Sequence, residues 1–98
     1  MKVGFRRVAT AELREAVAWY NLQQPGLGLE LLKAVNATVQ GILEHPQRWS
    51  VYHRSVRRAS LHRFPYVLYY EIRPDNRIRV YRVVHASRDP LPVRDLLP

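Results

Sequence analysis

His85 and Arg88 stand three positions apart in V-V-H-A-S-R-D-P, residues 83–90. Imidazole exchanges a proton near neutral pH, and guanidinium is a planar fork of donors that fits phosphate. Such a pair can serve metal-free RNA cleavage. That reaction needs a base for the 2′-hydroxyl, an acid for the leaving oxygen and cations for the phosphorane. His85 could be the acid or the base, with Arg57, Arg58, Arg63, Arg82 and Arg88 as the cations. No carboxylate is well placed for the second proton: Glu44 closes an expected helix and Glu71 lies within an expected strand. The alternative is structural, because R-I-R-V-Y-R before the motif reads as a strand and Pro90 ends regular pairing. The pair is read first as the end of that strand and second as a surface facing a target.

Other chemistries have less support. The four histidines (45, 53, 62, 85) share no element at ligand spacing, so no metal site or cofactor is expected. No cysteine is present, which removes thiol catalysis and disulfides and fits a cytoplasmic address. Neither a Gly-rich phosphate loop nor a G-x-S-x-G elbow occurs. Trp49, Tyr52, Tyr66, Tyr69, Tyr70 and Tyr81 cluster in the second half. Bases stack on such rings, but tyrosines alternating along strands are first of all packing residues.

The charge balance points to a partner. Sixteen Lys and Arg stand against eight Asp and Glu, a net +8, and fourteen of the sixteen are Arg. Residues 1–49 carry +2 and residues 50–98 carry +6. A basic surface of this kind predicts an anionic partner, nucleic acid or acidic protein. Ninety-eight residues suit a single domain over 1–98. No apolar run reaches membrane-spanning length, and the N-terminal stretch does not read as a signal peptide.

The elements follow from periodicity. Residues 2–8 suggest a short strand. Thr10 is the expected N-cap of a first helix, with Glu12 and Glu15 near its positive end and Leu13, Ala16, Val17 and Tyr20 on its apolar face. Pro25 and Gly26 stop it. A second helix runs from Leu27 or Gly28 to Glu44, with a stripe of Leu32, Val35, Val39, Ile42 and Leu43 and with Leu31 on the flank. Gly41 within it predicts a close neighbour. Three strands follow: a weak one over 56–63, a strong one over 66–73 and a returning one over 77–84. Tyr66, Leu68, Tyr70 and Ile72 share one face. In the last strand Ile78, Val80, Arg82 and Val84 are expected on one face, and Arg79, Tyr81, Val83 and His85 on the other. The fold class is α+β, ordered β-α-α-β-β-β, with a helical hairpin on a mainly antiparallel four-stranded sheet.

Arg57 and Arg58 are adjacent on a strand and point to opposite faces, and a bulge near Ala59–Ser60 would settle which faces the helices. The open-face Arg is expected to join Arg79 or Arg82, and Arg88, in one target-binding surface. Arg82 has a second reading, as a brace for the sheet edge through carboxylates or carbonyls.

L-R-E-A-V-A-W-Y, P-G-L-G, I-L-E-H-P, R-F-P-Y-V-L-Y-Y-E-I and V-Y-R-V-V-H-A-S-R-D-P, in this order from about Ala9 to Pro90, resemble the RelE/ParE superfamily of bacterial toxins. The resemblance implies a toxin of a type II toxin–antitoxin pair, held inactive by an acidic antitoxin. P-G-L-G, F-P-Y and H-x-x-R-x-P look closer to the ParE side, whose members poison DNA gyrase. The alternative is the RelE side, which cuts messenger RNA on the ribosome; there His85 and Arg88 would be catalytic. No Tyr follows residue 81, a departure from that pattern. A third reading is a basic interaction module without toxicity. Exposed remnants of the helical stripes, Tyr20, Leu27 and Leu31, are the expected antitoxin anchors.

Overall fold

The computed structural model describes residues 1–88 and Leu97. β1 (Lys2–Phe5) leads into α1 (Arg7–Gln23) and α2 (Leu27–Glu44), followed by β2 (Val51–His53), β3 (Val56–Ser60), β4 (Tyr66–Arg73) and β5 (Arg77–His85). The strands form one mixed sheet in the order β1-β5-β4-β3-β2, antiparallel except for the parallel β1–β5 pair. The class is the expected α+β, with five strands rather than four.

The additional strand is β2. It pairs with β3 through a two-residue hairpin in which Arg54 takes φ of 53°. Tight hairpins need such a left-handed residue, and Gly or Asn usually marks it. Here an Arg occupies the position and leaves no signal in the sequence.

The first helix starts three residues before the expected cap. Arg6 donates to Val80 O at 2.9 Å and accepts from Thr10 N–H at 3.0 Å, so the strand passes directly into the helix. Thr10 therefore lies inside the helix, and Glu12 is beyond its first turn rather than at its positive end. Gln24, Pro25 and Gly26 (φ 90°) reverse the chain. The two helices then meet closely at Gly28, where an added Cβ would lie 2.7 Å from Val17 O. Asn21 Oδ1 accepts from Gly28 N–H at 2.8 Å, satisfying a free donor of α2. Gly41 has the expected neighbour: the Trp49 ring would stand 3.1 Å from a Cβ there.

The main core lies between the helices and one sheet face. Leu31, Val35, Val39 and Ile42 of α2 meet Leu68, Tyr70, Ile78, Val80 and Val83. Tyr70 is fully buried and donates to Pro46 O at 2.7 Å, tying the end of α2 to the sheet. The opposite face carries a smaller cluster of Val56, Val67, Tyr69, Tyr81, Val84 and Leu97. Tyr69, Tyr70 and Tyr81 are thus packing residues. None of the helices among the described residues is long and apolar enough to cross a membrane.

A bulge in β5 corrects the expected faces. Tyr69 pairs with Arg82 and Tyr70 with Val80, leaving Tyr81 unmatched. An extra residue inverts the alternation beyond it. Val83 therefore packs against the helices and Val84 on the other face.

Candidate functional site

β1 ends at Phe5, so among the described residues β5 beyond Val80 pairs with no strand on that side. α1 runs along this open edge. Val8, Glu12, Glu15, Trp19 and Leu22 recur at spacings of four and three, one stripe of the helix. A cleft of about 280 Å³ lies between stripe and edge, lined by Glu12, Glu15, Trp19, Tyr66, His85 and Arg88 among others. Its floor is aromatic. Tyr20 packs edge-on to Trp19 at 5.0 Å and to Phe64 at 5.1 Å, and Tyr66 packs edge-on to His85 at 5.3 Å. Burial and the neighbouring Tyr20 push the Tyr66 hydroxyl above its ordinary value, against the opposing effect of Arg88. Trp19 and Leu22 remain 54% and 82% exposed.

Glu12 anchors the edge. Its carboxylate accepts from Arg82 Nε at 3.0 Å, from Arg82 Nη2 at 2.6 Å and from the Val83 backbone N–H at 2.9 Å. Arg82 is 6% exposed and Glu12 neutralises it, so Arg82 is a brace and not a target-facing cation. The bulge at Tyr81 turns it toward the edge.

His85 closes β5. Its Nδ1 accepts from the Ser87 backbone N–H at 3.1 Å and lies 2.7 Å from Ser87 Oγ. Ala86 N–H donates to Pro65 O at 2.8 Å and Arg88 N–H to His85 O at 3.0 Å, completing a turn. A backbone amide can only donate, so Nδ1 is an acceptor and the neutral ring carries its proton on Nε2. In that tautomer Nε2 is a donor. Among the described residues no carboxylate or phenol hydrogen-bonds His85, although Glu15 and Tyr66 line the same cleft.

The remaining sequence candidates disperse. β3 pairs with β4 without a bulge, so Arg57 opposes Tyr70 on the helix side and Arg58 opposes Tyr69 on the other. Arg57 is committed to the loop before β2, donating to Trp49 O at 2.6 Å. Arg58 is exposed and donates to the Tyr69 hydroxyl at 3.2 Å. Arg79 is exposed near the opposite end of β5 from Arg88. Of the surface expected from the open-face Arg, Arg79 or Arg82, and Arg88, Arg82 is buried, while Arg79 lies near the start of β5 and Arg88 follows its end. Leu31 is fully buried and offers no exposed anchor, whereas Tyr20 and Leu27 are half-buried. Sequence reasoning missed Val8, Trp19, Leu22 and Leu29, the exposed large apolar groups of the hairpin; W-Y-N-L at 19–22 was the available signal for Trp19 and Leu22. No group of three or more His, Cys, Asp or Glu among the described residues could hold a metal ion.

Comparison with known proteins places this geometry. The family model described as the ParE toxin of the type II toxin–antitoxin system parDE matches residues 3–90. A chain in the solved structure of a chromosomal ParDE toxin–antitoxin system from P. aeruginosa superposes with a TM-score of 0.76 at 18% identity, covering 89% of this chain and 97% of that one. A search of curated proteins finds none that matches.

Proposed function

The chain belongs to the ParE toxin family of type II toxin–antitoxin systems, and from that premise we propose that it arrests growth by binding DNA gyrase and is neutralised by an antitoxin seated in the α1–β5 cleft. The observation that carries the binding reading is the state of His85. Its Nδ1 accepts from Ser87 N–H and, among the described residues, no carboxylate or phenol hydrogen-bonds it, which supports a surface that engages rather than cuts. The cleft supports the antitoxin reading, since Trp19 lines it and Leu22 continues the exposed stripe of α1 one turn further on. The net charge of +8 favours an acidic antitoxin chain that folds on contact. Gyrase and antitoxin together put the site of action in the cytoplasm.

The test is to incubate the purified protein with gyrase and DNA, and separately with translating ribosomes and messenger RNA. Lost supercoiling or trapped DNA cleavage is expected in the first and intact message in the second. His85→Asn carries an oxygen near the place of Nδ1 and should keep gyrase inhibition, whereas His85→Gln should lower the thermal midpoint. Message cut by the wild type and spared by a stable His85→Asn variant would replace this reading with RNA cleavage. Growth unaffected by strong soluble expression would favour a basic interaction module instead.

A further inference from the structure

At the end of the sheet away from His85, Lys2, Val3, Gly4, Arg73, Arg77, Ile78 and Arg79 line a hollow of about 180 Å³. The strand register builds it. Lys2 opposes Arg77, which opposes Arg73, putting three cations in one cross-strand row. Gly4 opposes Arg79, which opposes Glu71, in the next row on the same face. Like charges directly opposed across strands repel. Two carboxylates relieve part of this: Glu71 pairs with Arg73 at 2.9 Å and Asp75 with Arg77 at 3.2 Å. Lys2 and Arg79 make no ion pair among the described residues. Four cations and two carboxylates leave two uncompensated positive charges around one hollow. Its floor is open, because a Cβ on Gly4 would meet nothing within 4 Å.

We infer that this hollow binds the phosphodiester backbone of a nucleic acid strand. Three of the four cations are Arg, whose planar fork matches two oxygens of one phosphate. The two rows lie about 6.8 Å apart, two residues along a strand, close to the spacing of successive phosphates on one nucleic acid strand. A repeating polyanion can engage both rows at once. From Arg79 to His85 is six residues, about 20 Å along the strand, so a bound strand leaves the α1–β5 cleft clear. The inference goes beyond the gyrase reading and does not depend on it, since it needs only phosphate.

The experiment is fluorescence anisotropy of labelled short duplex DNA and of single-stranded RNA across a salt series, with three proteins. The wild type should bind with an affinity that falls with salt. Lys2→Ala/Arg79→Ala should bind about 10-fold more weakly, with a log–log salt slope smaller by about 2. Arg7→Ala/Arg14→Ala removes the same charge from α1 and should stay near the wild type. The arm showing the larger difference identifies DNA or RNA as the source of the phosphate. Both pairs are surface residues, and thermal melts that match the wild type verify folding. Undetectable wild-type binding at low salt, equal losses in the two double variants, or poly-glutamate competing as well as unlabelled nucleic acid would overturn the inference.

Discussion

Glu12 and Arg82, seventy residues apart in sequence, form a two-pronged ion pair that also caps the backbone of the open strand edge. The contact fastens the first helix to the last strand at the point where β1 no longer covers it. Arg82 Nη1 is buried and has no partner, so the guanidinium depends on this carboxylate. Removing one member of such a pair leaves an uncompensated charge and an unsatisfied amide. Glu12→Ala should therefore cost about 3–5 kcal/mol in denaturant unfolding. Glu12→Gln/Arg82→Met keeps an acceptor for Val83 N–H and removes the buried charge, so it should recover most of that loss.

A second network gives stability a defined pH profile. Burial opposes ionisation of Glu71, but the Tyr81 hydroxyl at 2.5 Å and Arg73 at 2.9 Å outweigh it and hold the carboxyl below its ordinary 4.5. A carboxyl depressed by folding stabilises fully above its unfolded value and loses that contribution as pH falls through the folded one. Burial, and then the bond to Glu71, raise the Tyr81 hydroxyl above 10.0. Its contribution is full below that value and is lost as pH rises through the folded one. The thermal midpoint should fall below about pH 4.5 and again above about pH 10. Tyr81→Phe should cost about 1.5–3 kcal/mol near neutrality and weaken both flanks of the profile.

Gly28 sets how closely the two helices approach. Gly28→Ala would drive a Cβ against the Val17 carbonyl and the Asn21 amide, and a backbone atom cannot swing away as a long side chain can. Overpacking costs about 1–3 kcal/mol and Ala returns about 1 through helix propensity. A net loss of up to about 2 kcal/mol in chemical denaturation is expected.

Trp19 and Leu22 test the cleft. Trp19→Ser/Leu22→Ser should change folding stability by no more than about 0.5 kcal/mol per site, because both groups already face solvent. Antitoxin affinity by calorimetry should fall roughly 30-fold or more, the scale of a central aromatic anchor. Gyrase inhibition by the free variant should persist, which separates the silencing surface from the poisoning one.

The second helix and the central strand were legible because their apolar periods are unbroken: α2 spans Leu27–Glu44 and β4 spans Tyr66–Arg73 as the pattern predicts. The candidate site was less legible, and one residue explains most of it. Tyr81 carries no mark of a bulge, yet it reverses the faces of Val83 and Val84 and sends Arg82 to Glu12. Leu31 shows a second limit. A stripe assigned from spacing alone cannot distinguish its centre from its flank by one helical step, and Leu31 proved to be the centre. His85 at a strand end was readable, whereas the tautomer fixed by Ser87 depended on a turn that only the folded chain displays.

The parallel pairing of Lys2–Phe5 with Arg77–Val80 also orders events during synthesis. The first strand to leave the ribosome has no partner until the last strand follows it, and Glu12 waits equally long for Arg82 and Val83. Until β5 has emerged, β1 and the β5-facing side of α1 remain unsealed, and pairings between such distant segments form slowly. A nascent chain halted before residue 77 lacks the strand that carries His85 and two of the three arginines of the basic hollow, Arg77 and Arg79. A chain halted there can neither pair β1 nor brace Glu12, so the fold is sealed only once β5 is in place.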